Sequence, residues 1–312
     1  MRAKIMLLSS TLRDEQNARY ALRILTDISA AFNHTLSVLQ DKIGEKSRQA
    51  YGEALSDKVI SACQDCQAVF VCDGACPGMD ELYDALDIPL SLRSLSVPEA
   101  LCGRGESPVS LYVGTVLSLD EETLRLALRQ AFLIAQEADM LLRHTAPSGA
   151  SRDVWNAAVR LQETLLPQVS TVAQTAPEAV REMILSPQRA GFVLCPPYAG
   201  SILLAAGTAL CAHPGVIHDM ALGEGADVYA AWLPENDETP LPFSAALAVA
   251  KLLRYSLHLP RESACVEAAV SNVISSGLKH GDGTDADNDE ILDLICEQIT
   301  VAGELMQRGG LG

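Results

Sequence analysis

The 312-residue sequence has no long apolar run near its start, no cluster of Lys or Arg, no internal repeat and no low-complexity tract. The longest apolar stretch at the N-terminus, Ile5 to Leu8, is far short of a membrane span or a signal-peptide core. It suits a first buried strand, and a cytoplasmic protein with no membrane partner is expected. Forty acidic residues against 23 basic ones give a net charge of −17, which leaves no phosphate-tracking surface for a nucleic acid. The composition, 48% hydrophobic and 20% charged, is that of a folded chain rather than a disordered one. Its length accommodates one large domain or two moderate ones.

Nine cysteines without a secretory signal point to reduced thiols. Cys63, Cys66, Cys72 and Cys76 fall close together as C-x2-C-x5-C-x3-C, a spacing that raises a zinc or iron–sulfur centre. Cys72 sits in the apolar run AVFVC, however, where a thiol behaves as a small hydrophobe. Four neighbouring thiols on a strand cannot all face one ion, so no metal is expected there.

Strand-like and helix-like segments alternate along the chain. KIMLL, TLSVLQ, AVFVCDG, LYVGTVLSL and GFVLCPP have the apolar character of buried strands. ARYALRILTDISAAF, EALSDKVISACQDC and LDEETLRLALRQAFLIAQEA place apolar residues at helical spacing, the last opening on acids that suit a helix N-terminus. DVWNAAVRLQETLLPQV is a helix ended by Pro167, and PEAVREMILSP opens on Pro177 and closes before Pro187. FSAALAVAKLLRYSLHLP, SACVEAAVSNVISSGLKHG and DNDEILDLICEQITVAGELM complete the helices. Residues 88–110, rich in Pro, Ser and Gly, break the periodicity and suggest a crossover between domains. This alternation argues for the α/β class with a substantially parallel sheet.

One stretch is unusual. Residues 197–207, PYAGSILLAAG, are helix-like, free of charge and bracketed by glycines. The order in which AGSILLAAGTAL, GEGADVYAAW, LPFSAALAVAKLLRYSL, AVSNVISSGLKHGDG and DNDEILDLICEQI follow one another resembles the C-terminal half of the isocitrate and isopropylmalate dehydrogenases. LLRYSL at 252–257 and GLKHGD at 277–282 are the closest pieces, and KIMLLSSTLRDE with AVFVCDGACP carries a fainter likeness in the first half.

The resemblance implies an isopropylmalate dehydrogenase-like two-domain α/β fold with a mixed, largely parallel sheet flanked by helices. The larger domain would take residues 1–98 and 216–312, and the smaller one residues 99–215, with the dimer contact on the smaller. It also implies an enzyme that oxidises a 2-hydroxy acid with NAD or NADP and then decarboxylates it. Mg²⁺ or Mn²⁺ held by Asp oxygens would polarise the reacting oxygen.

Carried over residue by residue, the family's G-D-I/L-x-S-D pattern falls on Gly200, Ser201, Ile202, Leu203, Leu204 and Ala205. The glycine stays and both aspartates are gone. Positions 201 and 205 are i and i+4, on one face of a helix, and there they offer a hydroxyl and a methyl. The family's general-base Lys falls on Thr145, which cannot act as that base. The third Asp falls in QTAPEAV, where Glu178 is the one acid. The Glu preceding the nucleotide loop falls on Ala230 or Ala231, and AAWLPENDETPLP is short and lacks a His-Gly pair. SSTLRDE replaces the first Gly-rich loop.

Arg93, Arg104, Tyr112 and Tyr198 are the substrate-pocket candidates, each with a solvated or packing role as the alternative. His213 and His218, five apart around a Pro-Gly turn, are weak metal candidates. The expectation is a catalytically silent relative with neither cofactor nor metal, acting as a ligand-binding, regulatory or scaffolding homodimer, or paired with an active paralogue. The alternative is an NAD(P)-dependent dehydrogenase of a small hydroxy diacid with substitute ligands such as Asp73, Asp80 and Asp219.

Overall fold

The computed structural model describes residues 1–102, 108–211, 216–233, 242–276 and 287–309. The chain divides into two compact units: Met1–Leu86, Pro214–Met220 and Glu224–Gly312 form the first, and Asp87–His213 with Ala221–Gly223 the second.

The first unit begins with β1 (Arg2–Ser9), α1 (Glu15–Ala31), β2 (Thr35–Lys42), α2 (Gly44–Tyr51), α3 (Asp57–Gln64), β3 (Ala68–Val71) and α4 (Met79–Ala85). β1 pairs in parallel with β2 on one side and β3 on the other, in the registers Ile5↔Val38 and Ile5↔Ala68. β1 and β3 are near-continuous apolar runs because both of their faces are covered. α1 packs through Tyr20, Ile24 and Ile28, spaced one turn apart.

The second unit carries β4 (Leu90–Val97), β5 (Val109–Val116), α5 (Glu121–Glu137), β6 (Leu142–Thr145), α6 (Ser151–Leu165), β7 (Thr171–Gln174), α7 (Ala176–Leu185), α8 (Pro187–Ala190), β8 (Gly191–Cys195) and α9 (Pro197–Leu210). β4 and β5 are antiparallel, with Arg93 opposite Val113 and Ser94 opposite Tyr112. β5 with β8, β8 with β6 and β6 with β7 are all parallel. α5 starts where the acids indicated, with Asp120 Oδ1 accepting the Thr123 amide at 2.9 Å.

The chain then continues through β9 (His218–Leu222), β10 (Asp227–Ala231), α10 (Pro242–Tyr255), α11 (Pro260–Ser275) and α12 (Asn288–Gly309), with β10 parallel to β3. The strands are therefore mixed in direction and mostly parallel, and helices flank them. Among the described residues no helix is long and apolar enough to cross a membrane.

Eight elements lie outside the reading of the sequence: β4, β6, β7, β9, β10, α2, α4 and α8. β4 occupies residues read there as a break, because in LSLRSLSV the apolar residues change face at Ser94, Leu90 and Leu92 lying on one side and Leu95 and Val97 on the other, so no single apolar face is legible. β6, β7 and α2 are short. β7 has no buried residue at all, which leaves it without an apolar signature.

Candidate functional site

α9 explains the charge-free stretch. Pro197 at its first position and extended Pro196 before it set the start of the helix. Ala199, Gly200, Leu203 and Gly207 face inward. A Cβ on Gly200 would overlap Thr115 Oγ1 on β5, with Thr115 Cγ2 at 2.6 Å and Cβ at 3.1 Å. On Gly207 it would meet Leu95 Cδ1 at 2.5 Å and Met183 Cε at 3.1 Å. The glycines thus allow the helix backbone to lie on the strands. Ser201, Ile202 and Ala205 point outward and are exposed, as is Tyr198.

Strand register sorts the remaining candidates of this unit. Arg93 lies opposite Val113, which pairs with Val193, and Val193 pairs with Arg143. These residues share one face of the strands, and Thr145, two residues after Arg143, shares it too. It is the face covered by α9. Tyr112 points to the opposite face and tilts against Phe192, with ring centroids 6.1 Å apart. Arg93 and Thr145 are therefore on the same side as Ser201 and Ala205, and Tyr112 is not.

Arg143 is clamped there: Nε and Nη2 donate to the two Glu182 oxygens at 2.8 Å each, and Nη1 donates to Ala190 O at 3.0 Å. Thr145 is buried and its hydroxyl has no hydrogen-bond partner. Trp155 Nε1 donates to His144 Nδ1 at 3.3 Å, and burial pushes His144 below the ordinary imidazole range. Glu178 is consumed in a capping box, where Oε2 accepts the Thr175 amide at 2.8 Å, and that bond lowers its pKa.

In the first unit the turn after β1 is closed by its own carboxylate. Asp14 Oδ2 accepts the amides of Ser10 at 2.6 Å and Thr11 at 3.2 Å. Burial raises the Asp14 pKa, against the downward pull of those two amides and of Lys46. One turn on, Asn17 Nδ2 donates to Cys72 O at 2.9 Å and Trp232 O at 3.4 Å. Ala230 and Ala231 present buried methyls. Asp73 Oδ1 accepts the Ala75 amide at 3.0 Å, Asp80 is exposed on α4, and Asp219 is buried against Gly74.

Cys63, Cys66, Cys72 and Cys76 are buried free thiols, and burial pushes Cys63 and Cys76 up to about 12. Cys72 is the first residue beyond β3, not part of it. His218 is fully enclosed, and burial followed by the Lys251 ammonium lowers its pKa to about 3. Among the described residues no three His, Cys, Asp or Glu side chains gather as metal ligands would. Arg104, His213, most of the AAWLPENDETPLP segment and the GLKHGD segment lie outside the described residues.

No family model matches the chain. It is 24% identical to a 3-isopropylmalate dehydrogenase of Anaeromyxobacter dehalogenans over 94% of its own length and 99% of that protein. It is 26% identical to a 3-isopropylmalate dehydrogenase of Syntrophotalea carbinolica over 49% of its length. That second alignment spans 44% of the Syntrophotalea protein, less than half of it. The solved isocitrate dehydrogenase of Methylococcus capsulatus superposes with a TM-score of 0.80 at 14% identity, covering 96% of this chain and 99% of the other. A β-decarboxylating dehydrogenase of Thermococcus kodakarensis gives 0.73 at 16% identity, covering 95% and 96%. The chain is a divergent relative of the isocitrate and isopropylmalate dehydrogenases.

The groups that this family implies can be tested against the residues present. A divalent cation at the α9 position needs carboxylate oxygens, and Ser201 and Ala205 offer a hydroxyl and a methyl. Those residues do not fit the ion. A dinucleotide needs open backbone amides at the turn after the first strand, and Asp14 holds the amides of Ser10 and Thr11. That turn does not fit the cofactor. Sequence reasoning passed over Asp14 and Asn17. The available signal was Ser10 four residues before an Asp at the mouth of a helix, with an Asn one turn later on its inward face.

Proposed function

We propose that this relative of the dehydrogenases has lost oxidative decarboxylation and serves as a ligand-binding, regulatory or scaffolding subunit. The observation that carries the proposal is the outward face of α9, where Ser201 and Ala205 stand in place of a carboxylate pair. Two further departures agree with it: Thr145 has no basic nitrogen, and Asp14 fills the first turn from within. Sites change on retained cores, and the inward glycines of α9 belong to the core.

A homodimer is the proposed state, with an active paralogue as the other partner. Val180, Ile184, Leu185 and Ile202 line an apolar groove of about 510 Å³ on α7 and α9. Ile184, Leu185 and Ile202 are each more than half exposed, an arrangement that marks a surface covered in an assembly.

The experiment is a thermal-shift screen with NAD, NADP, Mn²⁺, Mg²⁺ and hydroxy diacids, followed by an assay for NADH or NADPH. A ligand of the folded state raises its melting temperature. Stabilisation by a small ligand without reduced nicotinamide is the expected result. Production of NADH from an isopropylmalate-like diacid with Mn²⁺ would replace the proposal with an NAD(P)-dependent dehydrogenase using substitute residues.

A further inference from the structure

α5 and α6 of the second unit carry a feature that neither the candidate site nor the α7/α9 groove uses. α5 follows β5 and α6 follows β6, and both strands run parallel to β8 between them. The two helices therefore have their N-termini at the same end, and they pack on each other. Between them runs a trough of about 530 Å³, lined by Val154, Ala157, Ala158 and Leu161 of α6 and by Glu121 and Arg125 of α5, with Asp153 at its mouth. The α6 wall is apolar and uncovered. Val154, Leu161 and Leu165 are all exposed and stand two turns and then one turn apart, on one side of the helix. From Val154 to Leu165 this row is about 16 Å long, three helical turns. Such a length suits a helix laid in a groove rather than a compact small molecule.

Charge gives the trough a direction. Glu121 and Asp153 stand in the first turns of α5 and α6, so two carboxylates share one end. Arg125 is one turn further along and Arg129 another, both exposed. Residues 87–213 hold nine arginines, no lysine and 12 acids, so the charge of −17 falls almost wholly on the rest of the chain. Arginine as the sole cation beside exposed aliphatic side chains is the composition of a protein-binding surface, where arginine is enriched and lysine depleted. A helix in the trough meets these charges with acids in its first turns and a cation near its C-terminus. That order suits its own macrodipole and sets it antiparallel to α5 and α6, so that the dipoles oppose.

We propose that the α5/α6 trough is the docking site for an amphipathic helix of another protein. Its aliphatic residues recur at i, i+4, i+7 and i+11, its acids meet Arg125 and Arg129, and a Lys or Arg lies over Glu121 and Asp153. None of these residues belongs to the candidate site, so the docking holds whether or not the chain oxidises anything.

The probe is a fluorescein-labelled synthetic helix of about 18 residues, five turns, with Leu at i, i+4, i+7 and i+11, Glu in its first turns and Lys in its last. Fluorescence anisotropy with the full chain should show saturable binding in the micromolar range. Leu161→Glu should abolish it, and Arg125→Glu with Arg129→Glu should weaken it at least about tenfold. A second peptide, with Lys in place of those Glu residues, should bind this double variant more tightly than the first peptide does. Arg181→Glu, on α7, should change nothing. All four positions are exposed, so the variants should fold. No saturable binding, equal affinity after Leu161→Glu, or no rescue by the exchanged charges would overturn the proposal. So would a fall in native mass by light scattering on Leu161→Glu, which would give the trough to a second copy of this chain.

Discussion

Gly200→Ala is the most informative single substitution in α9. In an exposed helix interior this change stabilises by about 1 kcal/mol, because alanine loses less backbone entropy. Here the new methyl would overlap Thr115 Oγ1 and stand 2.6 Å from Thr115 Cγ2. Thr115 is β-branched and sits on a strand held in register with β8 through Thr115↔Cys195, so it cannot turn away cheaply. Overpacking of this kind costs about 1–3 kcal/mol. Set against that gain, a net loss of up to about 2 kcal/mol is expected, which lowers the unfolding midpoint by up to roughly 8 °C. Urea and thermal unfolding followed through buried Trp155, in a Trp232→Phe background, isolates the second unit. Thr115→Ala removes the two clashing atoms, so the double variant should recover at least about 1 kcal/mol relative to the sum of the singles. If Gly200→Ala raises stability, or shows no coupling to Thr115→Ala, α9 does not lie on β5 as described.

Ser201→Asp with Ala205→Asp should leave stability within about 0.5 kcal/mol, because both positions are exposed. The pair should still give no NADH with Mn²⁺ and a hydroxy diacid, and appearance of NADH would mean that these two positions alone had silenced the chain. Leu185→Glu should convert a dimer to a monomer by light scattering, and an unchanged mass would exclude the α7/α9 groove from the interface. His218 is neutral in the folded state, with its pKa depressed to about 3 from 6.5. The unfolded chain therefore takes up the proton first, so this contribution is complete above about pH 6.5 and is lost as pH falls toward 3. The stability of His218→Leu should depend less on pH than that of the parent between pH 7 and 4, and parallel profiles would show that His218 does not carry the dependence.

Much of the fold was legible wherever an element buries one whole side. Tyr20, Ile24 and Ile28 announce α1, and the apolar runs of β1 and β3 announce strands covered on both faces. β7 buries nothing and the apolar residues of β4 change face at Ser94, so their pairing comes from neighbouring backbones, which a single segment does not encode. The site followed the same division. The spacing of Ser201 and Ala205 placed them on one helical face, and the structure agrees. That Arg93 and Tyr112 face opposite ways depends on the parity of one strand register, and the link from Asp14 to the Ser10 and Thr11 amides depends on how a turn folds back.

Of the nine thiols, only Cys102 is partly accessible; the other eight are buried, six in the first unit and two in the second. An aqueous alkylating reagent can reach the most deeply enclosed of them, Cys63, Cys72, Cys195 and Cys296, only when the surrounding chain opens. The native cysteines are therefore a built-in set of clocks. The order in which they are labelled over hours would rank how often each part of the protein breathes, with no introduced probe.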